Sequence, residues 1–365
     1  MKETNKNAII AIMFCFMLGF VFILNLCIKD EEISSSERRK LKQFPQLSIN
    51  EILNGKLSNQ FEEYAMDQFV ARDFFRSSKS YVKLDLLRQK DNNDLFVKDV
   101  YIYKLEYPLN KNSVKNAADK INNICEKYFK ENNRIYYAII PDKNYFLDDN
   151  SLKMDYKELE KIMNNDLSNM KYINLFPLLK IEDYYKTDTH WKQENLKKIV
   201  NKIAKEMNIL ERIQTPYIEK FKGDFYGVYY GQLGRKMEGD KIKYLTNQII
   251  EESITYNYET KKTTKIYDNN KWNTSLDKYD YFLSGATPII RIDNPNAKSQ
   301  RELIVFRDSF GSSLIPLLTE AYSTITIIDI RYISTDYLVD YIKITNQDVL
   351  FLYSTLILNQ SSTLK

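Results

Sequence analysis

Leu303-Ile304-Val305-Phe306-Arg307-Asp308-Ser309-Phe310-Gly311 is the stretch that decides how this chain folds. The apolar run from Leu303 to Phe306 reads as a buried strand, and a helix is expected from Gly311 to Tyr322. A second strand follows over Thr324 to Ile330, a helix over Tyr337 to Ile344, and a third strand over Val349 to Tyr353. Strand, helix, strand, helix, strand at this spacing predicts a parallel sheet covered by helices, an α/β fold.

Working outward, Arg134-Ile135-Tyr136-Tyr137-Ala138-Ile139-Ile140 reads as another strand, closed by Pro141. Helices are expected at about 113–131 and 155–170, with a short strand at 172–175. The segment from Lys192 to Met207 places Leu196, Ile199, Val200, Ile203 and Met207 on one helical face. Residues 220–295 are rich in Tyr, Thr and Asn with alternating apolar positions, and read as a β-rich insertion. Asn50 to Arg88 has helical spacing throughout, with Leu57, Phe61, Tyr64 and Ala65 recurring on one side.

The amino-terminal part is different. Ala8 to Ile28 is almost wholly apolar, long enough to cross a bilayer and longer than the core of a secretory signal. It reads as an uncleaved signal anchor, and residues 29–43, with Ser34-Ser35-Ser36 and a basic run, as a tether. The expected organisation is therefore 1–28 as stub and anchor, 29–43 as linker and 44–365 as one catalytic domain. Basic residues alone (Lys2 and Lys6 before the span; Lys29, Arg38, Arg39, Lys40 and Lys42 after it) would place the carboxyl-terminal side in the cytoplasm.

Composition narrows the function. The net charge of +4 with both signs mixed argues against a nucleic-acid partner. There are 3 cysteines, two of them in the apolar segment, and 1 histidine, so neither a disulfide framework nor a usual zinc site is expected. No cofactor is expected.

Ser309 sits where a buried strand meets a helix, the carboxyl edge at which open α/β sheets bind ligands. Taken alone, such a serine most often caps the helix; as a nucleophile it needs an adjacent base. The sequence offers one at Lys186-Thr187-Asp188-Thr189-His190-Trp191. An aspartate two residues before a histidine in an extended turn can hold the imidazole in one tautomer. A structural histidine beside a capping aspartate is the plain alternative. Together the segments supply Asp188, His190 and Ser309 for the three roles of a catalytic triad, in an order that triads tolerate.

Asp188-Thr189-His190-Trp191 resembles the signature of the bacterial DHHW family and the Asp-x-His element of alginate O-acetyltransferase proteins. Arg307-Asp308-Ser309-Phe310 is similar to their Lys-Asp-Ser-Tyr block, and Phe44-Pro45, Asp67-Gln68-Phe69, Arg72, Ile315-Pro316-Leu317-Leu318 and Ile328-Asp329-Ile330-Arg331-Tyr332 also look like this family. The resemblance spans roughly 37–355. It implies an SGNH-hydrolase-like three-layer α/β/α sandwich with a catalytic domain outside the cytoplasmic membrane, against the basic-residue count. Thr189 departs from the family's first histidine. Ser284-Gly285-Ala286-Thr287 stands where the family often has Gly-Gly-Asn, so an oxyanion-hole asparagine is missing.

The resemblance implies O-acetyl transfer to a cell-surface or secreted polysaccharide through an acyl-serine. The acetyl donor would be supplied by a multipass membrane acyltransferase. The alternatives are an O-acetylesterase using the same triad with water, and a non-catalytic polysaccharide-binding or assembly protein. Trp191, Lys143, Arg307 and Gly285 are the candidate substrate-binding residues: Trp191 by stacking on a sugar, Lys143 by holding an anionic one, Arg307 at the glycine position of a GDSL block, and Gly285 in the segment that stands for Gly-Gly-Asn. Asp308 is expected to fix the turn.

Overall fold

The computed structural model describes residues 3–365 and divides into two compact units: residues up to 93 with 230–237, and residues 94–229 with 238–365.

The first unit carries helix α1 (Glu3–Cys27), which contains the 22-residue apolar stretch Lys6–Cys27, long and apolar enough to cross a membrane. A two-residue ladder pairs Ile33–Ser34 with Arg39–Lys40. The helical segment expected over 50–88 consists of α2 (Ile49–Leu53), α3 (Lys56–Asp67) and α4 (Arg72–Tyr81), with a π-helical turn over Val82–Leu86. The breaks fall at Gly55 (φ 74°) and Ala71 (φ 53°), both left-handed. Glycine takes that conformation without penalty, and nothing in the side-chain spacing signals the second break. Arg39 and Asp67 form a paired ion bridge (2.7 Å at Nη1), which holds the Asp67 carboxyl down at about 2.

The second unit is the α/β fold. Helices α5 (Lys111–Tyr128), α6 (Tyr156–Asp166) and α7 (Lys197–Glu206) accompany eight strands in one sheet. In chain order these are β1 (Ile135–Ile140), β2 (Lys171–Asn174), β3 (Ile254–Asn257), β4 (Lys262–Lys265), β5 (Ile289–Asp293), β6 (Glu302–Arg307), β7 (Thr324–Ile328) and β8 (Asp348–Ser354). Their spatial order is β4-β3-β5-β7-β6-β8-β1-β2. The run β7-β6-β8-β1-β2 is parallel, and β5, β3 and β4 extend it antiparallel. The β-rich insertion therefore contributes three strands to the main sheet. Its remaining ladder pairs Ile218–Phe225 with Asp240–Thr246. A hairpin of Leu95–Lys98 with Tyr101–Lys104 was not foreseen.

Alternation along the strands builds a core on each face. Leu303 and Val305 point into one core with Trp191, Ile199, Val200 and Ile203. Ile304 and Phe306 point into the other with Val114, Ile121, Leu159 and Met163. Helices thus cover both faces, giving the SGNH-like three-layer α/β/α arrangement. Two helices differ from expectation. After β6 only Gly311–Leu314 is α-helical, and Ile315–Ala321 tightens to 3-10 geometry. Pro316 has no N–H to continue the α pattern. The helix expected over 337–344 is a short 3-10 turn followed by Leu338–Tyr341.

Candidate active site

The turn after β6 is held from both sides by Asp308. Its Oδ1 accepts the Phe310 N–H (3.0 Å), and its Oδ2 accepts the Ser354 N–H at the end of β8 (2.7 Å). Asp308 thus fixes the turn, as expected. The tightness of the turn requires Gly311, where a Cβ would come within 2.9 Å of the Arg307 Cβ. Ser309 is left half-buried at the carboxyl edge of the parallel strands. It does not cap the following helix, whose N-cap residue is Phe310 without a side-chain bond. Its Oγ lies 2.8 Å from His190 Nε2.

Asp188 and His190 lie in a loop closed by a bridge between Tyr184 and Trp191 and by the Tyr185 N–H donating to the His190 carbonyl (3.0 Å). Asp188 Oδ1 accepts the His190 backbone N–H (3.0 Å) and sits 2.6 Å from Nδ1, while Oδ2 accepts the Val228 N–H (2.8 Å). A carboxylate only accepts, so the ring proton belongs on Nδ1 and the Nε2 lone pair faces the Ser309 hydroxyl. Asp188 is fully buried and His190 nearly so. The Tyr279 ring stacks flat on the imidazole, with centroids 3.9 Å apart and planes within 6°. The Tyr279 hydroxyl donates to Ser313 Oγ (2.8 Å), which fixes the ring in turn.

Around this loop, backbone and side chains are tied repeatedly. Asp240 accepts the N–H groups of Lys186 and Thr187 (both 2.8 Å) and the Thr187 hydroxyl (2.7 Å). The Thr187 oxygen accepts the Gly227 N–H (2.9 Å). A Cβ at Gly227 would stand 2.2 Å from the Asp188 Cβ, so only glycine fits the approach of this segment to the carboxylate. Sequence reading missed Gly227, Val228, Asp240 and Tyr279. Each is remote in sequence from the loop, and no local pattern marks any of them.

Trp191 and Lys143 do not take the exposed positions expected of sugar contacts. Trp191 is completely enclosed, and its Nε1–H points at the Phe310 carbonyl (3.1 Å) and Ser313 Oγ (2.9 Å). It ties the histidine loop to the serine turn, because a buried indole N–H needs an acceptor. Lys143 is also buried: its Nζ donates to the carbonyls of Tyr185 (3.2 Å) and Lys186 (3.4 Å) and lies over the Tyr229 ring. Burial pushes its pKa down to about 7, against the opposing pull of Asp188. An ammonium committed to two backbone carbonyls is not presented to a solvent-borne anion.

Arg307 and Gly285 come together, but facing each other. The Arg307 guanidinium is fully buried and donates from Nη2 to the Gly285 carbonyl (3.2 Å) and from Nη1 to the Asp308 carbonyl (3.3 Å). Burial lowers its pKa from the ordinary arginine value. The Gly285 N–H donates to the Phe282 carbonyl (3.2 Å), so it is not an available oxyanion donor. Leu283, Ser284 and Gly285 are all left-handed (φ 53°, 56° and 81°), a strained run of the kind found beside functional sites. A Cβ on Gly285 would meet Asp280 Oδ1 at 2.2 Å. Among the described residues, the Ser309 backbone N–H makes no hydrogen bond.

No protein-family model matches the chain, and no curated protein matches it. Solved structures do. A DHHW family protein from Eubacterium siraeum is 18% identical with a TM-score of 0.59, covering 75% of this chain and 94% of that one. Bacillus cereus PatB1, solved with a sulfonyl adduct, is 21% identical with a TM-score of 0.58, over 73% of this chain and 97% of its own. The O-acetyltransferase domain of Pseudomonas putida AlgJ aligns more loosely, at 10% identity and a TM-score of 0.43. At these identities the likeness is one of fold.

Proposed function

We propose that the protein is a membrane-anchored O-acyltransferase of the SGNH type, which acetylates a hydroxyl of an extracytoplasmic polysaccharide through Ser309. The observation that carries this reading is the continuous chain Asp188 Oδ1···Nδ1 (2.6 Å) and His190 Nε2···Ser309 Oγ (2.8 Å). These distances suit proton transfer in the ground state. The DHHW-like sequence blocks support the choice of acyl group transfer over other serine chemistry.

In the first half-reaction, Ser309 Oγ attacks the acetyl carbonyl of the donor while His190 Nε2 takes the hydroxyl proton. Asp188 stabilises the imidazolium without accepting its proton. The Ser309 N–H is the donor at hand for the oxyanion. Collapse expels the donor's oxygen, which receives the proton from His190 and leaves an acetyl-serine. In the second half-reaction, a sugar hydroxyl gives its proton to His190, attacks the acetyl carbonyl and releases Ser309. Water in place of the sugar gives an esterase by the same steps.

Apolar stretch Lys6–Cys27 serves as the anchor in this reading, with the α/β unit on the outer side. A multipass acyltransferase delivers the acetyl group.

The test is an acetyl-ester assay with full-length protein in detergent, beside Ser309→Ala and His190→Ala. Turnover and an acetyl adduct on the Ser309 peptide are expected for wild type and lost in both variants. Absence of both from wild type would sink the enzyme reading. Turnover retained in both variants would remove the triad. Adding oligosaccharide acceptors then separates transfer from hydrolysis by whether acetyl appears on sugar or as free acetate.

A further inference from the structure

Helix α4 is inside out. Its polar side faces the body of its own unit: Ser80 is buried, Arg76 donates to the Gly231 carbonyl, and both Arg72 and Arg76 pair with Glu37. Its opposite side, continued by the π-helical turn, presents Phe74 (66% exposed), Phe75 (54%), Tyr81 (63%), Val82 (40%) and Leu86 (69%). At 100° per residue Phe74 and Tyr81 fall on one line and Phe75 and Val82 on the adjacent one, so this is a stripe rather than a scatter. Phe69 joins it, with its ring 5.7 Å from that of Phe75, which is 5.6 Å from Phe74. A contiguous exposed apolar patch of this kind marks a contact surface.

Within the first unit, the stripe begins beside the end of the apolar helix. The Val70 N–H, next to Phe69, donates to Asn25 Oδ1 (2.8 Å) in the last turn of the apolar helix. Asn25 lies two residues before the end of the stretch Lys6–Cys27, about 3 Å along a helix axis. Phe69 and the start of α4 are therefore held at the level where a bilayer's hydrocarbon gives way to headgroups. Lys79, Arg88 and Lys90 are exposed close to the stripe in sequence, the pattern of an amphipathic helix on an anionic surface.

We infer that α4 and the following turn lie in the membrane interface, with the Phe69–Leu86 stripe in contact with lipid, so that this unit rests on the bilayer as well as being tethered to it. The inference rests on the reading of Lys6–Cys27 as a membrane span. Lipid contact would restrain the unit at the surface where a lipid-delivered or membrane-delivered acyl donor arrives.

Site-directed spin labelling of full-length protein tests it. Nitroxides at Phe75→Cys, Val82→Cys and Leu86→Cys, with Cys15, Cys27 and Cys125 changed to serine, are compared in vesicles of phosphatidylethanolamine and phosphatidylglycerol. Phe16→Cys within the span and the exposed Asp149→Cys serve as references. The expected result is an oxygen-to-nickel accessibility ratio at 75, 82 and 86 severalfold above that at 149 and approaching that at 16. A ratio at these sites equal to that at 149, with 16 in lipid, overturns the inference and leaves the anchor intact. Water-like accessibility at 16 as well removes the anchor reading itself. Protection from both reagents at 75, 82 and 86 means that protein covers the stripe, and this also overturns lipid contact.

Discussion

Around His190, polar groups are inside and bonded; along α4, apolar rings are outside and the polar face is inside. Thr187, Asp188, His190 and Asp240 are all buried, and each has hydrogen-bond partners in the loop or in the segment 227–228. Burying those groups costs several kcal/mol each unless they are bonded, so the loop is over-determined by its own desolvation. Phe74 and Phe75, by contrast, gain little from the fold they belong to. The difference teaches that the two regions were shaped against different surroundings: one to hold three atoms in line, the other to meet a medium that is not water.

Several measurements would break or sharpen this contrast. The largest effect is expected from Ser309→Ala: acetyl-ester turnover falls by about 10⁴–10⁶-fold, while the thermal midpoint stays close to wild type because the half-buried hydroxyl carries no structural bond beyond His190. Asp188→Asn should lower kcat by about 10⁴-fold, by favouring the wrong tautomer. It should also cost about 1–3 kcal/mol, because an amide N–H would face the Val228 N–H or the ring; denaturant unfolding measures this second part. Asp188→Asn matching Ser309→Ala in stability would show the loop to be less tightly specified than its bonds imply. Gly227→Ala tests the same loop by crowding it, with no polar side chain changed. Its Cβ must displace Asp188, with an expected loss of about 1–3 kcal/mol and about 10²-fold in kcat from misplacement of the imidazole.

Lys143→Met probes the buried ammonium through pH. Lys143 falls from 10.5 to about 7 on folding, so between those values the unfolded chain binds the extra proton. Stability from this group therefore rises as pH increases from 7 to 10.5, and below 7 the full penalty of burying the charge is present. The methionine variant should lose that rise, seen as a flatter pH profile of the thermal midpoint. The smallest effect belongs to α4: Phe75→Ser in non-ionic detergent should change stability by no more than about 0.5 kcal/mol. A loss of several kcal/mol there would make the ring part of a core and dissolve the contrast.

Much of the α/β unit was legible because its strands are short apolar runs with clear ends. The segments at 135, 303, 324 and 349 all became neighbours in the parallel part of the sheet. The close approach of His190 to Ser309 was readable because the chain has one histidine, and because the segments around His190 and Ser309 both resemble blocks of one family; Ser354 also ends a strand but carries no such block. The supports of the site were not readable. Asp240 and Gly227 act through distances set by the packed chain, and Trp191 and Lys143 carry side chains whose chemistry suits a sugar and a backbone carbonyl equally. Burial decided between those uses. In the first unit, the helical spacing of 50–88 was right in kind, but periodicity does not report a left-handed residue such as Ala71, nor which side of a helix faces out.

The bond from Val70 to Asn25 has a thermodynamic consequence. Asn25 also donates from Nδ2 to the Val21 carbonyl, so both ends of its amide are used only when the apolar helix and the Gln68–Ala71 turn are formed together. Bilayer insertion then acts on folding as a bound ligand does, favouring the state in which this turn is made. Release of the turn would strand a bare amide oxygen near the hydrocarbon edge. On the proposed reading of Lys6–Cys27 as a membrane span, the inserted helix and the closed turn therefore stabilise each other.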